Sequence, residues 1–186
     1  MIAAIITAHD EATHVEHTVV ALRHQTRPPE RIVVMSDAST DGTVDVALHA
    51  GAEVLLTVDD CNCKAGALNQ ALATVLLGPD DLVLVLDADA ELPAGFLARA
   101  LTVLRDRNVG AVAARRTTGG GAALIRRRAL DDVHHAFGRY CDEGPVTGQI
   151  RLALDLEAVG WRLSAPLDVD DEVTGLGVPA GSARAA

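Results

Sequence analysis

Short apolar runs alternate with stretches of helical periodicity through the first two-thirds of the chain. The apolar runs predict five strands, at residues 2–7, 31–36, 53–57, 82–87 and 109–114. The stretches between them carry apolar positions at helical spacing and predict helices at 14–25, 42–50, 65–77 and 94–106. Strands that alternate with helices of this length form βαβ units. The pattern therefore predicts an α/β fold, a three-layer α/β/α sandwich around a mostly parallel sheet.

The pattern loosens after residue 120. Helical spacing predicts two more helices, at 124–133 and 148–159, and the second is followed by Gly160 and Trp161. The final residues, 175–186, have the small and polar composition of a disordered tail.

Composition narrows the classes of function. Of the 186 residues, 49% are hydrophobic, enough for a core, and the formal charge of −10 argues against nucleic-acid binding. An acidic protein can still hold an anionic small molecule when a divalent cation bridges the two. No apolar run approaches the roughly 20 residues of a membrane span, and the N-terminus lacks the basic start of a secretory signal. Three cysteines, an odd number, suit a reducing compartment, so we expect a cytoplasmic protein. The CNC string at Cys61–Cys63 is half of a zinc motif without a second pair, which disfavours zinc.

The stretch "LVLVLDADAELP", residues 82–93, ends an apolar strand on two carboxylates. At the end of a strand the chain turns, so Asp87 and Asp89 can converge on one cation. Mg²⁺ and Mn²⁺ prefer oxygen ligands and often share them between one or two carboxylates and the phosphates of a substrate. The alternative is that these acids cap the helix that begins near Pro93. A cap needs one acid and no apolar strand, so we favour the metal site.

Three further polar segments follow the other predicted strands or open a helix. Asp37 lies at the tip of the second strand, where an acid suits recognition of a base or a ribose hydroxyl, while the following turn residues suit a helix N-cap. After the first strand, His9 can stack on a base and Glu11 can reach a ribose or cap a helix. Lys64 and the backbone amides beside it can offer positive potential to a diphosphate. Because carboxyl ends of parallel strands share one edge, the first two segments and the acidic pair should meet there.

Other signals are weaker. His14, His17 and His24 share one face of a predicted helix, and a solvated face is favoured over a metal site. Neither a G-x-G-x-x-G string nor a G-x-x-x-x-G-K-[ST] string occurs, which disfavours dinucleotide-binding and P-loop sites.

These segments, in this order, resemble the family 2 inverting glycosyltransferases. The family's A-Y-N-E, D-D-G-S-T-D-G-T, G-K-A-G-A-L-N and D-A-D segments are similar to residues 8–11, 36–43, 63–69 and 87–89. The later strings "GGGAALIRRRAL" and "VTGQIRLALDLEAVGWRL" are similar to the family's G-T-G-A-L-F-R-R-x-A-L and V-T-E-D-x-x-L-x-L-x-L-x-x-x-G-W-R. The resemblance covers residues 2 to about 166, and the ordered set is far more specific than any one piece.

The resemblance implies a Rossmann-like GT-A fold and transfer of a sugar from a UDP- or GDP-sugar to an acceptor hydroxyl, with inversion. It implies a Mn²⁺ or Mg²⁺ ion on Asp87 and Asp89 that holds the diphosphate. The expected nucleotide-sugar-binding residues are Ala8, His9, Glu11, Asp37, Lys64, Asp87, Ala88 and Asp89. The implied domain is 1–174, with a nucleotide-binding half at 1–115 and a reduced acceptor half at 116–174. Loss of acceptor-binding helices can expose an apolar surface, so a homodimer is expected.

One departure concerns the catalytic base. Gly148 and Gln149 occupy the positions of the family's Glu-Asp pair, and neither side chain accepts a proton at neutral pH. Asp142 and Glu143 just upstream are the candidate replacements, as is Asp155 farther along the helix, although a solvated acidic loop is the plainer interpretation. The alternative function is therefore a nucleotide-sugar-binding module that has lost catalysis. A nucleotidyltransferase is a third possibility, disfavoured because "TAHDEATH" lacks Lys and Arg.

Overall fold

A computed structural model of the protein describes residues 1–58, 63–114, 121–143 and 148–167. The strands are β1 (Ile2–Ala8), β2 (Arg31–Ser36), β3 (Glu53–Leu56), β4 (Leu82–Asp87), β5 (Val109–Ala114), β6 (Ala122–Arg126) and β7 (Arg162–Leu167). The helices are α1 (Val15–Arg23), α2 (Thr43–His49), α3 (Lys64–Thr74), α4 (Phe96–Val103), α5 (Arg127–Phe137) and α6 (Gly148–Ala158).

The seven strands form one sheet in the order β3-β2-β1-β4-β6-β5-β7. β1 pairs in parallel with both β2 and β4, β2 pairs in parallel with β3, and β5 pairs in parallel with β7. β6 alone among these strands runs antiparallel, between β4 and β5. This sheet confirms the α/β fold with a mostly parallel sheet. It also places the carboxyl ends of β1, β2 and β4 side by side.

Both faces of the sheet are buried, which gives the three layers. Along β1 the side chains alternate, so that Ile6 packs into the core beneath α1 and α4, and Ile5 packs into the core beneath α3, α5 and α6. Both isoleucines are fully buried. A central strand that is covered twice has no polar face, which explains the continuous apolar run of residues 2–6.

Most predicted elements match the structure closely, but the region after residue 120 does not. The predicted helix at 124–133 is wrong in its first three residues, because Leu124–Arg126 belong to β6 and the helix begins only at Arg127. The strand β7 was not predicted at all. β6 is a short apolar run, and the spacing of such a run does not show whether it is strand or helix. β7, with the sequence RLSAPL, has no continuous apolar run to mark it.

Trp161 joins the last helix to the edge strand. Its Nε1–H donates a hydrogen bond to Asp132 Oδ2 at 2.9 Å. A Cβ atom added to Gly110 would lie 2.7 Å from the Trp161 Cβ atom, so glycine is required for this close approach. Trp161 therefore has a packing role in the structure.

The predicted domain boundary and the predicted tail fall on residues that the structure does not describe. The boundary at residues 115 and 116 and the tail at 175–186 lie outside the described residues, and the division into two halves stays a prediction. Within the described ranges, no helix has both the length and the apolar character needed to cross a bilayer.

Candidate functional site

A cleft of about 170 Å³ opens where β1, β2 and β4 end and α3 begins. Its walls contain all eight residues that the resemblance implied for nucleotide-sugar binding, together with Thr7 and Ala67. These eight residues are Ala8, His9, Glu11, Asp37, Lys64, Asp87, Ala88 and Asp89. They come from four segments of the chain that span up to 81 positions in sequence. The parallel sheet brings them together, as expected for the carboxyl edge of such a sheet. Their binding role stays a prediction.

The acidic pair occupies the turn that follows β4. Asp87 Oδ2 accepts a hydrogen bond from Gly121 N–H at 2.9 Å, and Oδ1 contacts the ammonium of Lys64. Asp89 is exposed and has neither a hydrogen bond nor an ion pair within the described ranges. The buried hydroxyl of Thr18, on α1, donates a hydrogen bond to the carbonyl of Ala88 and so holds the turn between the two acids.

The geometry rejects the capping alternative for this pair. α4 begins at Phe96, and its N-cap residue Gly95 has no side-chain cap. Two carboxylates therefore face the cleft without serving the helix. Apart from the Lys64 contact, the buried Oδ1 of Asp87 has no polar partner among the described residues, so this oxygen is chemically suited to a hard cation.

The described residues do not contain a complete protein cage for a metal. Within those ranges, no three His, Cys, Asp or Glu side chains gather into a metal site. Two carboxylates fit an ion that completes its shell with water and substrate phosphates, as Mg²⁺ and Mn²⁺ sites commonly do. The residues present therefore fit a divalent cation shared with a phosphorylated ligand.

His9 and Asp37 line the cleft at the ends of β1 and β2. The ring Nδ1 of His9 donates to the backbone carbonyl of Asp37, which orients the ring. Asp37 is 7% exposed, and its Oδ1 accepts a hydrogen bond from the Thr57 hydroxyl at 3.0 Å. The Asp37 carboxylate is thus held at the carboxyl edge of the sheet by the residue that directly follows β3.

Asp10, which was not among the predicted site residues, ties the two wall-forming loops together. Its Oδ1 accepts hydrogen bonds from the N–H groups of Thr40 at 2.7 Å and Asp41 at 3.3 Å. In return, Asp41 Oδ2 accepts a hydrogen bond from Ala12 N–H at 3.1 Å. Asp10 and Ala38 both have positive φ, 52° and 50°, a conformation that costs energy in residues other than glycine. We call this reciprocal arrangement of residues 10–12 and 40–41 the loop latch.

The hydrogen bonds of the loop latch favour the ionised forms of its two carboxylates, Asp10 and Asp41. The Thr40 N–H, as the largest cause, lowers the pKa of the Asp10 carboxyl below its usual range. The hydroxyl of Thr43 has the same effect on the pKa of Asp41. Both carboxylates are therefore charged at neutral pH. One signal for Asp10 was present in the sequence, since Asp and Asn are the residues best suited to positive φ after glycine.

α3 presents its first turn to the cleft. Lys64 is the only lysine in the chain, whose other 15 basic residues are arginines. Cys63 caps the helix, because its Sγ accepts a hydrogen bond from Gly66 N–H at 3.3 Å. Cys61 lies outside the described residues, so the zinc interpretation receives no support from the structure.

The candidate bases lie beyond α5 and are not equivalent. Asp142 pairs with Arg139 at 3.1 Å and Arg151 at 3.5 Å. The exposed Glu143 instead accepts a hydrogen bond from the neutral amide of Asn69, on α3, at 3.0 Å. The Asn69 side chain also bonds the Cys141 backbone, donating to its carbonyl at 2.9 Å and accepting from its N–H at 2.7 Å.

Asp155, the third candidate, is buried in an ion-pair cluster. Its side chain is 4% exposed and pairs with Arg139 at 2.8 Å and Arg151 at 3.1 Å. Gly148 and Gln149 are the first residues of α6, and their side chains lie outside what the structure describes.

Three histidines of the first helix and the two rings beside α5 lie outside the cleft wall. His14, His17 and His24 are all exposed, as expected for a solvated helix face. Tyr140 is buried and stacks on His134 with a centroid distance of 4.5 Å. Phe137 is 41% exposed, and the guanidinium of Arg139 lies over its ring.

Comparison with known families decides what kind of fold surrounds this cleft. The family model described as "Glycosyl transferase family 2" matches residues 3–151. The chain belongs to glycosyl transferase family 2. The match runs through all four cleft-lining segments and ends in α6.

Solved structures of glycosyltransferases share the fold. A mannosyltransferase from Pyrobaculum calidifontis, solved with GDP-Man and Mn²⁺, is 24% identical with a TM-score of 0.75, covering 90% of this chain and 55% of that one. Glucosyl-3-phosphoglycerate synthase from Mycobacterium tuberculosis, solved with Mn²⁺, UDP and glucosyl-3-phosphoglycerate, is 18% identical with a TM-score of 0.58, covering 71% and 58%. Mannosyl-3-phosphoglycerate synthase from Rubrobacter xylanophilus is 21% identical with a TM-score of 0.59, covering 70% and 55%.

These likenesses establish the GT-A fold, and no more, because each identity is below 25%. The chain spans between 55% and 58% of the length of these three solved structures. No curated protein matches the chain in sequence.

Proposed function

We propose that the chain is a metal-dependent glycosyltransferase that moves a sugar from a UDP- or GDP-sugar to an acceptor hydroxyl with inversion. One observation carries the proposal: the cleft at the carboxyl edge gathers the eight residues that the family resemblance implied. The complexes of the Pyrobaculum calidifontis and Mycobacterium tuberculosis proteins with Mn²⁺ and a nucleotide or nucleotide sugar support it.

Each wall of the cleft has a distinct task in this proposal. His9 and Asp37 bind the nucleoside, because a ring and a held carboxylate suit a base and hydroxyl groups. Lys64 and the N-terminal turn of α3 meet the diphosphate with positive potential. Asp87 and Asp89 would hold Mn²⁺ or Mg²⁺, which offsets the charge that develops on the leaving diphosphate.

The chemical step is one displacement at the anomeric carbon. The acceptor oxygen forms a bond to that carbon while the bond to the diphosphate oxygen breaks, and the hydroxyl proton passes to a carboxylate. Attack opposite the leaving group inverts the configuration. The products are a glycoside, a nucleoside diphosphate and a protonated base.

Glu143 is the carboxylate that we propose as the base. Asp142 and Asp155 are engaged by the guanidinium groups of Arg139 and Arg151, which occupy the oxygens that an acceptor hydroxyl would need to approach. Glu143 has a neutral amide as its partner and is exposed to an approaching hydroxyl. Asn69 also holds the backbone two residues before Glu143, so the base would be positioned from the helix that contributes Lys64.

A specific observation favours a second candidate, a binding module without catalysis. Gly148 and Gln149 stand where the family has its acidic pair, and the structure places them at the start of α6. If Glu143 does not act as the base, the cleft still binds nucleotide sugars. In that case Gly148→Glu with Gln149→Asp should raise turnover.

Calorimetry and hydrolysis distinguish these possibilities. We expect UDP- or GDP-sugars to bind in titrations with Mn²⁺ and to bind far more weakly with a chelator. Release of free sugar from the bound donor would identify an enzyme, and tight binding without release would identify the binding module. Absence of any Mn²⁺-dependent binding of either nucleotide sugar would refute both.

A further inference from the structure

Lys64 and Asp87 form an ion pair in the cleft. We propose that this pair is broken when the ligands bind, so that the divalent cation replaces Lys64 at Asp87 and the donor diphosphate replaces Asp87 at Lys64. The cation takes over Asp87 Oδ1, and the released Lys64 ammonium moves to the diphosphate. This inference rests on the proposed function and adds a rule to it: metal and nucleotide each promote binding of the other.

Asp87 has little capacity to accept a cation while the pair persists. Oδ2 is engaged by Gly121 N–H at 2.9 Å, and Oδ1 is in contact with the Lys64 Nζ atom. Oδ1 itself is buried, with the Lys64 ammonium against it. A cation that coordinates Oδ1 must therefore displace the ammonium.

Lys64 is well suited to leave. Its side chain is 50% exposed and unbranched, so its head group can move while its backbone stays in the first turn of α3. A guanidinium would bind the carboxylate through two parallel hydrogen bonds, whereas an ammonium is a point charge on a flexible stem. The chain uses arginine at its 15 other basic positions and lysine only here.

Binding linkage then has a predictable sign. When the metal binds alone, it gains the Asp87 oxygen only by breaking the ion pair with Lys64. The affinity of the protein for the metal is therefore reduced. A diphosphate offers the ammonium a new partner and removes that competition. Because coupling between two ligands is reciprocal, metal must strengthen nucleotide binding by the same factor, about fivefold or more.

Replacing the lysine should change the two affinities in opposite directions. In Lys64→Met, we expect Mn²⁺ alone to bind about threefold to tenfold more tightly, since one competing pair is removed. The same variant should bind GDP or UDP more weakly, with a smaller Mn²⁺ effect on that affinity. Electron paramagnetic resonance measures free Mn²⁺ directly, and calorimetry gives the nucleotide affinities.

Arg27→Met is the matched control. It removes one positive charge from an exposed pair with Glu30, so it changes the net charge equally. Mn²⁺ affinity should stay at its native value in this variant. Thermal melts of both variants establish that they are folded.

The single lysine allows a second readout. Reductive methylation with ¹³C-formaldehyde labels only Lys64 and the N-terminal amine and preserves the charge. The Lys64 methyl signal should shift when Mg²⁺ is added and shift again when GDP or UDP follows.

The outcomes separate this inference from the proposed function. Unchanged or weaker Mn²⁺ binding in Lys64→Met overturns the exchange, even if nucleotide sugars bind and react. Tighter Mn²⁺ binding with no binding of any UDP- or GDP-sugar preserves the competition for Asp87 and overturns the proposed donor.

Discussion

The acidic residues in the cleft and those on and beside α6 differ in the positively charged side chains that pair with them. Asp87 faces one ammonium, and Asp89 has no ion pair within the described ranges. Asp142 and Asp155 share two guanidinium groups, those of Arg139 and Arg151. The first pair retains negative charge for a cation, whereas the second is neutralised internally. Residue type alone does not separate these two groups of carboxylates, but their counterions do, and the counterions favour Asp87 and Asp89 as the cation site that we propose.

Glu143 provides the strongest test of this contrast. Glu143→Gln keeps an oxygen that accepts the Asn69 hydrogen bond but cannot take a proton, so kcat should fall about 10²–10⁴-fold with donor KM unchanged. Asp142→Asn, one residue away, should leave kcat within about threefold, since that carboxylate is already paired with arginine. Steady-state kinetics of both variants measure this. A larger loss of kcat in Asp142→Asn than in Glu143→Gln would show that Glu143 is not the base.

Asp89 tests the cleft side. Asp89→Ala removes one of two carboxylates, and the Mn²⁺-dependent affinity for a nucleotide sugar should fall on the order of 100-fold. Asp80→Ala is the control, because Asp80 is an exposed acid before the opposite end of β4. Calorimetry with and without Mn²⁺ compares the two. Undiminished Mn²⁺-dependent affinity in Asp89→Ala would contradict the metal site.

Asp155 should show the reverse behaviour. Asp155→Asn leaves Arg139 and Arg151 without a buried partner and should lower the free energy of unfolding by about 2 kcal/mol, while nucleotide affinity is retained. The exposed Glu157, on the same helix, provides the control in Glu157→Gln, which should change stability by less than about 0.5 kcal/mol. Urea denaturation measures both. A loss of nucleotide affinity without loss of stability would place Asp155 in the binding site.

The sequence was informative where one physical cause dominated. β2, β4 and β5 were predicted with their observed bounds, because doubly covered strands leave uninterrupted apolar runs. The first part of the 124–133 prediction failed because pairing with β4 and β5 makes Leu124–Arg126 a strand, and such pairing is not encoded locally. Four cleft segments were identifiable since each follows a strand or opens a helix. The counterions that separate Asp142 from Glu143 depend on α6 packing against α5, which no local pattern reports.

Asp10 illustrates the same limit, since its loop latch joins residues that lie about 30 positions apart. Asp10→Gly tolerates the positive φ but removes the carboxylate, so donor affinity should fall about threefold to tenfold through loss of loop order. Asp10→Asn keeps an acceptor oxygen and should restore most of that affinity, a rescue that calorimetry detects. Equal losses in both variants would mean that the charge, not the loop latch, matters.

The charge of Asp10 should also affect how the stability of the protein depends on pH. Hydrogen bonds from Thr40 and Asp41 lower the pKa of Asp10 in the folded chain, so the unfolded chain binds its proton first as pH falls. The stabilisation due to ionised Asp10 is therefore complete above its usual pKa of about 3.9 and disappears as pH falls through the lower folded value. The stability difference between the native chain and Asp10→Asn should be constant from pH 7 to about 5 and then shrink towards zero. Urea denaturation across this range measures it, and a difference that grows on acidification would show that the loop latch favours the protonated carboxyl.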